Sequence, residues 1–175
     1  MLTIYVGKSG SGKDTFLKKQ VKKGIKPIVS YTTRPMRSGE VDGVDYHFIS
    51  NEEFNLMIAN DKFLEYRVYN TLVNGNPDKW YYGSPIIDIE NDNYVIVLDL
   101  TGAKDFIKYY GGENINIVYM CVNDKEREKR ARQRGSFNQT EWDRRLVDDN
   151  KKFTLEALEE ISRLLGHSCE ILYNI

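Results

Sequence analysis

Short apolar runs alternate with amphipathic stretches along most of this chain. Five of the runs have the length and composition of strands: Leu2–Val6, Pro27–Ser30, Tyr94–Leu100, Ile115–Val122 and Cys169–Tyr173. The longest are almost continuously apolar, which is typical of strands buried on both faces of a parallel sheet. Three of the stretches between these runs show helical periodicity: Asp14–Lys23, Gly102–Tyr110 and Asp124–Arg134. The alternation predicts an α/β fold, a doubly wound parallel sheet flanked by helices.

One long region interrupts this alternation. The stretch Tyr31–Tyr82 is rich in polar turns, with a helix expected over Asn51–Ala59 and extended backbone over Lys62–Tyr69. We therefore predict a subdomain, residues 31–82, inserted beside the sheet.

The last third of the chain contains two further helices. The first is expected to open at Thr140, because Asp143 follows three residues later as in a capping box. The second ends at Gly166 and carries an apolar stripe of Leu155, Leu158, Ile161 and Leu165. No stretch has the composition of a linker, so we expect residues 1–175 to form a single domain.

Composition narrows the possible partners. The 175 residues carry a formal net charge of −1 and a pI of about 6.2, so a dedicated nucleic-acid module is not expected. Two cysteines and two histidines are too few for a disulfide framework or a histidine-rich metal centre. No apolar run has the length of a membrane span or a secretory signal, so we expect a cytoplasmic protein with no membrane partner.

A glycine-rich loop directly follows the first expected strand. Residues Gly7–Thr15 read G-K-S-G-S-G-K-D-T, which satisfies the pattern GxxxxGK and leads straight into a helix. In such a loop backbone N–H groups and the helix N-terminus face a phosphate chain, and Lys13 supplies a mobile positive charge. The candidate residues for binding the phosphate chain of a nucleotide are Ser9, Gly10, Ser11, Gly12, Lys13, Asp14 and Thr15.

Asp14 departs from the usual form of this loop, in which Ser or Thr follows the lysine and its hydroxyl reaches Mg²⁺. A carboxylate here either binds Mg²⁺ or repels the β-phosphate. We favour the metal role, because a repulsive aspartate would weaken an otherwise intact site.

A second motif extends the comparison beyond the phosphate loop. The segment Ser30–Phe48 matches S-x-T-T-R-x-x-R-x-G-E-x-x-G-x-x-Y-x-F at every specified position. Further matches are Phe63-Leu64-Glu65, Tyr81-Tyr82-Gly83-Ser84, Leu98-Asp99-Leu100-Thr101-Gly102 and Arg145-Leu146. Over about residues 2–146 the chain closely resembles guanylate kinase, a P-loop nucleoside monophosphate kinase. The segment Asn70–Lys79 is longer than the corresponding link of that family.

The resemblance implies where GMP binds. Its phosphate would be held by Arg34, Arg37, Tyr46 and Tyr82, and paired guanidinium forks are suited to a phosphate monoester. Glu65 and Asp99 match the guanine-contacting positions, with Ser30 and Ser84 as hydroxyl partners. A carboxylate reads guanine well, since it accepts from N1–H and N2–H₂, whereas adenine presents an acceptor at N1.

The resemblance also implies a lid, residues 124–146, that closes over the transferring group. The expected helix Asp124–Arg134 places Arg127, Arg130 and Arg134 along one stripe, from which they could project at a polyphosphate. Surface solvation is the alternative for Arg127. Arg130, Arg134 and Arg145 match family positions that, with Lys13, would stabilise the charge of the transition state.

These features favour an ATP- and Mg²⁺-dependent kinase that converts GMP, and dGMP where accepted, to the diphosphate. We expect nucleotides as its partners. Two alternatives stay open at this point: a kinase of the same fold that acts on another nucleotide or a phosphorylated sugar, and a non-catalytic binding module of the kind found in scaffold proteins.

Overall fold

The computed structural model describes residues 1–73, 76–133 and 137–173. It divides the chain into two compact units, one of Met1–Pro27 with Ile89–Ile175 and the other of Ile28–Asp88. Arg134, which the sequence nominates as catalytic, lies outside the described residues.

A parallel sheet forms the centre of the first unit. As far as the unit is described, its strands are β1 (Leu2–Val6), β2 (Lys26–Pro27), β7 (Tyr94–Val97), β8 (Ile115–Cys121) and β9 (Glu170–Tyr173). They follow the order β2-β7-β1-β8-β9, and every pairing is parallel. Tyr5, Val118 and Met120 are buried on one face, whereas Ile4 and Ile117, of opposite parity, are buried on the other. The α/β fold expected from the apolar runs is therefore confirmed.

Helices flank this sheet. They are α1 (Lys13–Val21), α3 (Leu100–Tyr110), α4 (Asp124–Gln133), α5 (Gln139–Lys152) and α6 (Leu155–Leu165). Phe16 and Leu17 of α1 pack against the Tyr5 face of the sheet, and α3 packs against β1 and β8. Gly166 ends α6 in the left-handed conformation, with φ 76°, as its sequence predicts.

The expected start of α5 is wrong. The N-cap is Asn138, whose side-chain oxygen accepts a hydrogen bond from the Glu141 N–H, and Thr140 already lies inside the helix. Asn is at least as good an N-cap as Thr, so a competing cap two residues upstream decides the boundary.

In its described part, the second unit contains a mixed sheet and one helix. Its described strands are β3 (Tyr31–Thr32), β4 (His47–Phe48), β5 (Phe63–Val73) and β6 (Asn76–Pro85), in the order β4-β3-β6-β5. Helix α2 (Asn51–Ala59) begins at Ser50, where a capping box with Glu53 is formed. Residues 70–73 and 76–79, which belong to the long link of the sequence, extend the antiparallel pairing of β5 with β6, and Asn70 lies opposite Lys79.

Among the residues described, no helix is both long enough and apolar enough to cross a membrane.

Candidate active site

The glycine-rich loop connects β1 to α1. Gly12 occupies the N-cap of α1 with φ 91°, and Gly10 has φ 78°, a region that other residues rarely adopt. A Cβ on Gly10 would also lie 2.8 Å from the carbonyl oxygen of Arg127. The loop therefore approaches the backbone of α4 so closely that this position admits only glycine without a shift.

Lys13 is held by the loop that precedes it. Its Nζ donates to the carbonyl oxygens of Gly7 at 2.7 Å and Lys8 at 3.0 Å, and lies 3.5 Å from the Ser11 hydroxyl. Ser11 itself is buried. These bonds fix the ammonium group against the loop, where an anionic ligand of the loop would meet it.

Two oxygen-bearing side chains stand at the start of α1. Asp14 and Thr15 are both exposed, and Asp14 lies in the first turn of the helix. Within residues 1–73, 76–133 and 137–173, no three His, Cys, Asp or Glu side chains form a cluster that could hold a metal. Mg²⁺ in nucleotide kinases takes one or two protein oxygens and completes its shell with phosphates and water. A carboxylate and a hydroxyl fit that requirement.

Arg127 has a different position from the one its sequence suggests. Its side chain is fully buried, so it neither projects with Arg130 at a ligand nor lies in solvent, and both expectations for it are wrong. Its Nη1 donates to the Ser9 carbonyl oxygen at 2.7 Å, and its Nη2 donates to Asp124 Oδ1 at 2.7 Å. Trp142 of α5 lies against it, with the ring centroid 5.5 Å from Cζ. Arg127 therefore supports the glycine-rich loop by binding its backbone.

Asp149 of α5 completes this arrangement. Its Oδ2 accepts from the Ser9 N–H at 2.8 Å and from Arg127 Nη1 at 3.1 Å. Next to it, Asn150 Oδ1 accepts from Lys8 Nζ at 2.6 Å. Sequence reasoning missed Asp149. The available signal was its spacing of seven residues from Trp142, which places both on one face of α5.

The two described arginines that the resemblance assigns to the transition state, Arg130 and Arg145, are paired within their own helices. Arg130 Nε donates to Glu126 at 3.0 Å on α4, and Arg145 Nε donates to Glu141 at 2.7 Å on α5. Hydrogen bonds from Arg144, together with those from Arg145, lower the pKa of Glu141 to about 2 despite partial burial. Both guanidinium groups are thus neutralised by carboxylates, which a phosphate would have to replace.

In the second unit, three of the predicted guanine-side residues form one chain of hydrogen bonds. The Ser84 hydroxyl donates to Glu65 Oε1 at 2.6 Å, and the Ser30 hydroxyl lies 3.1 Å from that of Ser84. Glu65 is only 9% exposed, and Arg67 Nη1 stands 3.7 Å from its other oxygen. The carboxylate of Glu65 is therefore fixed in orientation before any ligand reaches it.

The predicted phosphate-binding residues gather around Arg34. This side chain is 3% exposed, and its two terminal nitrogens donate to the two oxygens of Glu40 at 3.0 Å and 2.9 Å. Tyr82 interacts with Arg34, and the rings of Tyr82 and Tyr46 meet edge-on at 5.9 Å. Arg37 is exposed, and its backbone N–H donates to Glu40 at 2.8 Å.

Glu40 was not nominated from the sequence, yet it organises this cluster. Burial raises the pKa of Glu40, but the hydrogen bonds from Arg34 and from the Arg37 amide outweigh burial and lower the pKa. Burial by itself would lower the pKa of Arg34. The bond to Glu40 and the interaction with Tyr82 outweigh burial and raise the pKa of Arg34 above its usual value. Both groups therefore stay charged at neutral pH.

Asp99 belongs to the first unit and caps a helix there. Its Oδ1 accepts from the Gly102 N–H at 2.8 Å, which satisfies a donor at the N-terminus of α3. The sequence pointed to a ligand contact at this position and missed the cap.

Comparison with known proteins gives a consistent result. A family model described as guanylate kinase matches residues 1–156. A guanylate kinase of Fusobacterium nucleatum is 32% identical over 183 residues, which cover 99% of this chain and 94% of that protein. One from Clostridium perfringens is 32% identical over 196 residues, covering 98% and 85%. One from Prochlorococcus marinus is 36% identical over 156 residues, covering 85% and 80%.

A solved structure supports the fold. The crystal structure of guanylate kinase from Anaplasma phagocytophilum matches 99% of this chain and 76% of its own chain with a TM-score of 0.59 at 23% identity.

Proposed function

This chain belongs to the guanylate kinase family and so phosphorylates GMP to GDP with ATP. We propose that one group of residues binds ATP and a second group binds GMP. The glycine-rich loop with Lys13 takes the phosphates of ATP, and the residues around Glu65 and Arg34 take GMP. The observation that carries the choice of acceptor is the buried, oriented carboxylate of Glu65.

Glu65 reads the base. Oε1 is oriented by the Ser84 hydroxyl, and the remaining lone pairs of the carboxylate accept the N1–H and N2–H₂ donors of guanine. Ser30 adds a hydroxyl next to Ser84 that can donate to the O6 acceptor of the base. An adenine would set its N1 lone pair against Glu65, so the same arrangement rejects AMP. Asp99 is a further base contact by resemblance, in addition to its cap.

The Arg34 cluster takes the phosphate of GMP. Since Glu40 occupies the bidentate fork of Arg34, that guanidinium acts mainly as a fixed positive charge. The exposed Arg37 guanidinium and the hydroxyl groups of Tyr46 and Tyr82 supply the direct hydrogen bonds. This arrangement orients one GMP phosphate oxygen as the nucleophile.

The donor side stabilises charge as the phosphoryl group moves. The GMP oxygen attacks the γ-phosphorus, the bond from that phosphorus to the β,γ-bridging oxygen breaks, and ADP leaves with the electron pair. Lys13 and the loop N–H groups oppose the negative charge on the phosphates, and Arg130 and Arg145 exchange Glu126 and Glu141 for phosphate oxygens. Arg134 has the same assignment by resemblance.

Asp14 and Thr15 are the residues that would hold Mg²⁺. The ion neutralises phosphate charge when bound. Asp14 supplies the carboxylate, and Thr15 the neighbouring hydroxyl.

The test is turnover of Mg·ATP with GMP, followed by separation of the nucleotides. We expect ADP and GDP to form in equal amounts, with no ADP in excess of GDP. A protein that binds GMP and ATP without forming GDP would be a binding module, and the proposed division of labour would be wrong.

A further inference from the structure

The pair formed by Arg127 and Asp149 carries an inference beyond the reaction itself. We propose that this buried pair is a positioning device for the phosphate loop, which fixes the backbone of Ser9 and thereby sets the affinity for the phosphates of ATP. The proposal rests on the assignment of ATP to this loop. Neither residue touches a nucleotide in this account, since both act through Ser9.

The pair holds Ser9 at both of its backbone polar groups. Arg127 donates to the Ser9 carbonyl oxygen at 2.7 Å, and Asp149 accepts from the Ser9 N–H at 2.8 Å. The two side chains also bond to each other at 3.1 Å through the same carboxylate oxygen that binds the N–H. The positive Arg127 and the negative Asp149 thus fix the two peptide groups that flank Ser9. Their bonds also fix the turn that presents the next N–H groups of the loop.

The surroundings make this contact rigid. Arg127 is fully buried and Asp149 is 8% exposed, so water has little access to the ion pair. Trp142 packs on the guanidinium, and the Arg127 carbonyl lies against Gly10 of the loop. Movement of the loop away from α4 and α5 would therefore break buried, charged hydrogen bonds, which is unfavourable.

Stability alone does not account for an ion pair in this place. Apolar side chains of similar volume usually replace a buried ion pair with no loss of stability, because the charges no longer have to be removed from water. An apolar pair, however, would leave the Ser9 N–H and carbonyl without these partners. The directional bonds to Ser9 are what the charged pair adds.

Arg127 also neutralises a charge that would otherwise oppose binding. Asp149 stands next to a loop that takes a polyanion, and an unpaired carboxylate there would repel it. Because Arg127 bonds directly to Asp149, the carboxylate can hold the Ser9 N–H with a smaller penalty. Asp124, the other carboxylate that accepts from Arg127, is exposed, so solvent screens its charge.

Substitution at Asp149 separates positioning from bulk stability. In Asp149→Asn the amide oxygen can still accept from the Ser9 N–H. The amide nitrogen can donate to the Ser9 hydroxyl, which in the wild type lies 3.4 Å from Oδ1. Asp149→Ala removes the acceptor. Binding of Mg·ATP and, separately, of GMP is measured by titration calorimetry, and urea unfolding reports stability. The control is Glu128→Ala, which breaks the exposed pair with Arg132 on the same helix α4.

We expect Asp149→Ala to weaken ATP binding at least about tenfold, the effect of losing one charge-assisted hydrogen bond. The ATP affinity of Asp149→Asn should stay within about threefold of wild type, a smaller change than the loss of one such bond would cause. GMP binding should be unchanged in both, and Glu128→Ala should change neither affinity. Unchanged ATP affinity in Asp149→Ala, equal weakening of ATP and GMP, or an Asn variant as weak as the Ala variant would overturn the proposal.

A second variant keeps the test decisive if Asp149→Ala does not fold. The double change Arg127→Met with Asp149→Leu fills the site with apolar side chains, and the removal of two buried charges offsets the cost of the lost bonds to Ser9, so we expect it to stay folded in the absence of urea. It should still bind ATP at least about tenfold more weakly. A double variant that binds ATP as wild type does contradicts the proposal. GMP phosphorylation by the wild type is assayed in parallel, so its failure would count against the reaction and not against the positioning of Ser9.

Discussion

Several polar side chains assigned to ligands are first held by the protein itself. Carbonyl oxygens of the loop hold Lys13, Glu40 holds Arg34, and Ser84 holds Glu65. A side chain that is already oriented loses less conformational freedom when a ligand binds, so more of its interaction energy appears as affinity or rate. Individual residues should therefore give large and specific effects on substitution.

Lys13→Ala should abolish turnover and leave the fold intact. The role proposed for the side chain is a point charge at the phosphates, so we expect kcat/KM to fall by more than the roughly 10²–10³-fold typical of one oxyanion donor. Steady-state kinetics with urea unfolding measures both effects. Lys23→Ala, which removes an exposed lysine just beyond α1, should behave as wild type. Near-normal turnover by Lys13→Ala would remove the loop lysine from the mechanism.

Asp14 should influence the metal requirement. Asp14→Ser restores a hydroxyl ligand, so activity should persist with a changed Mg²⁺ concentration at half-maximal rate, whereas Asp14→Asn should raise that concentration. Glu52→Gln, a change of another exposed first-turn carboxylate, on α2, is the matched control and should leave the Mg²⁺ dependence unchanged. If both Asp14 variants bind ATP more tightly with the same Mg²⁺ requirement, then Asp14 is a repulsive residue and the metal assignment is wrong.

Glu65→Gln should damage GMP use far more than ATP binding. The glutamine can keep its bond to Ser84, but it presents an amide donor where the carboxylate accepted from guanine. We expect kcat/KM for GMP to fall at least about tenfold, since charge-assisted bonds are lost, while the Kd for ATP stays unchanged. An equal loss for both nucleotides would show that Glu65 supports the fold and does not read the base.

Among the elements, apolar runs predicted the strands β1, β7, β8 and β9, and periodicity predicted most helices, because burial repeats along the chain. The strands β3, β4 and β6 of the second unit were not predicted, and β2 shares one residue with its expected run. Helix α2 and strand β1 have the predicted bounds, and α5 differs because two capping residues compete within three positions. The same reasoning placed Arg127 on an exposed stripe. Helical spacing shows which residues share a face of α4, but only tertiary packing against Trp142 and Ser9 shows that this face is buried.

The candidate site was predictable where a motif specifies it. The glycine-rich loop, Arg34 and Glu65 belong to local patterns, and the structure brings the members of each pattern together within their own unit. Asp149 depends on a contact with Ser9 across 140 positions, and Glu40 acts by pairing with a residue already assigned to phosphate. The motif includes Glu40 without showing its partner, and the spacing of Asp149 from Trp142 shows a shared helix face without showing the contact with Ser9. These pairings follow only from the folded chain.

Helix α5 should lose one stabilising contact only in strong acid. The pKa of Glu141, about 2 in the folded protein because of Arg144 and Arg145, lies below the roughly 4.3 of an unfolded glutamate. Its contribution is therefore fully present above about pH 4.3 and disappears as pH falls toward 2.

The test compares wild type with Glu141→Gln. The free energy of unfolding of each protein is measured at several pH values, and the difference between the two is followed as a function of pH. Because the Glu141 side chain is 40% exposed, we expect a difference below about 1 kcal/mol, constant from pH 7 to 5 and shrinking in more acidic solution. A difference that stays constant down to pH 3 would contradict the role of the two arginines.

Over the whole molecule, the residues proposed for ATP and most of those proposed for GMP belong to different units. Asp99, a proposed guanine contact, lies in the first unit with the residues proposed for ATP. Lys13, Asp14 and the Ser9 contacts belong to the first unit, and Arg34 with Glu65 to the second. ATP and GMP affinities should therefore respond to separate sets of substitutions. Discrimination between acceptors should depend on the second unit, where the base-reading carboxylate lies.

The choice of acceptor decides whether Glu65 recognises guanine. GMP, dGMP, AMP, CMP and UMP are offered separately with Mg·ATP, and kcat/KM is measured for each from ADP formation. A site built to hydrogen-bond the donor edge of guanine should prefer GMP over AMP by on the order of 10⁴, because AMP leaves Glu65 facing an acceptor. Comparable kcat/KM for GMP and AMP would contradict the account.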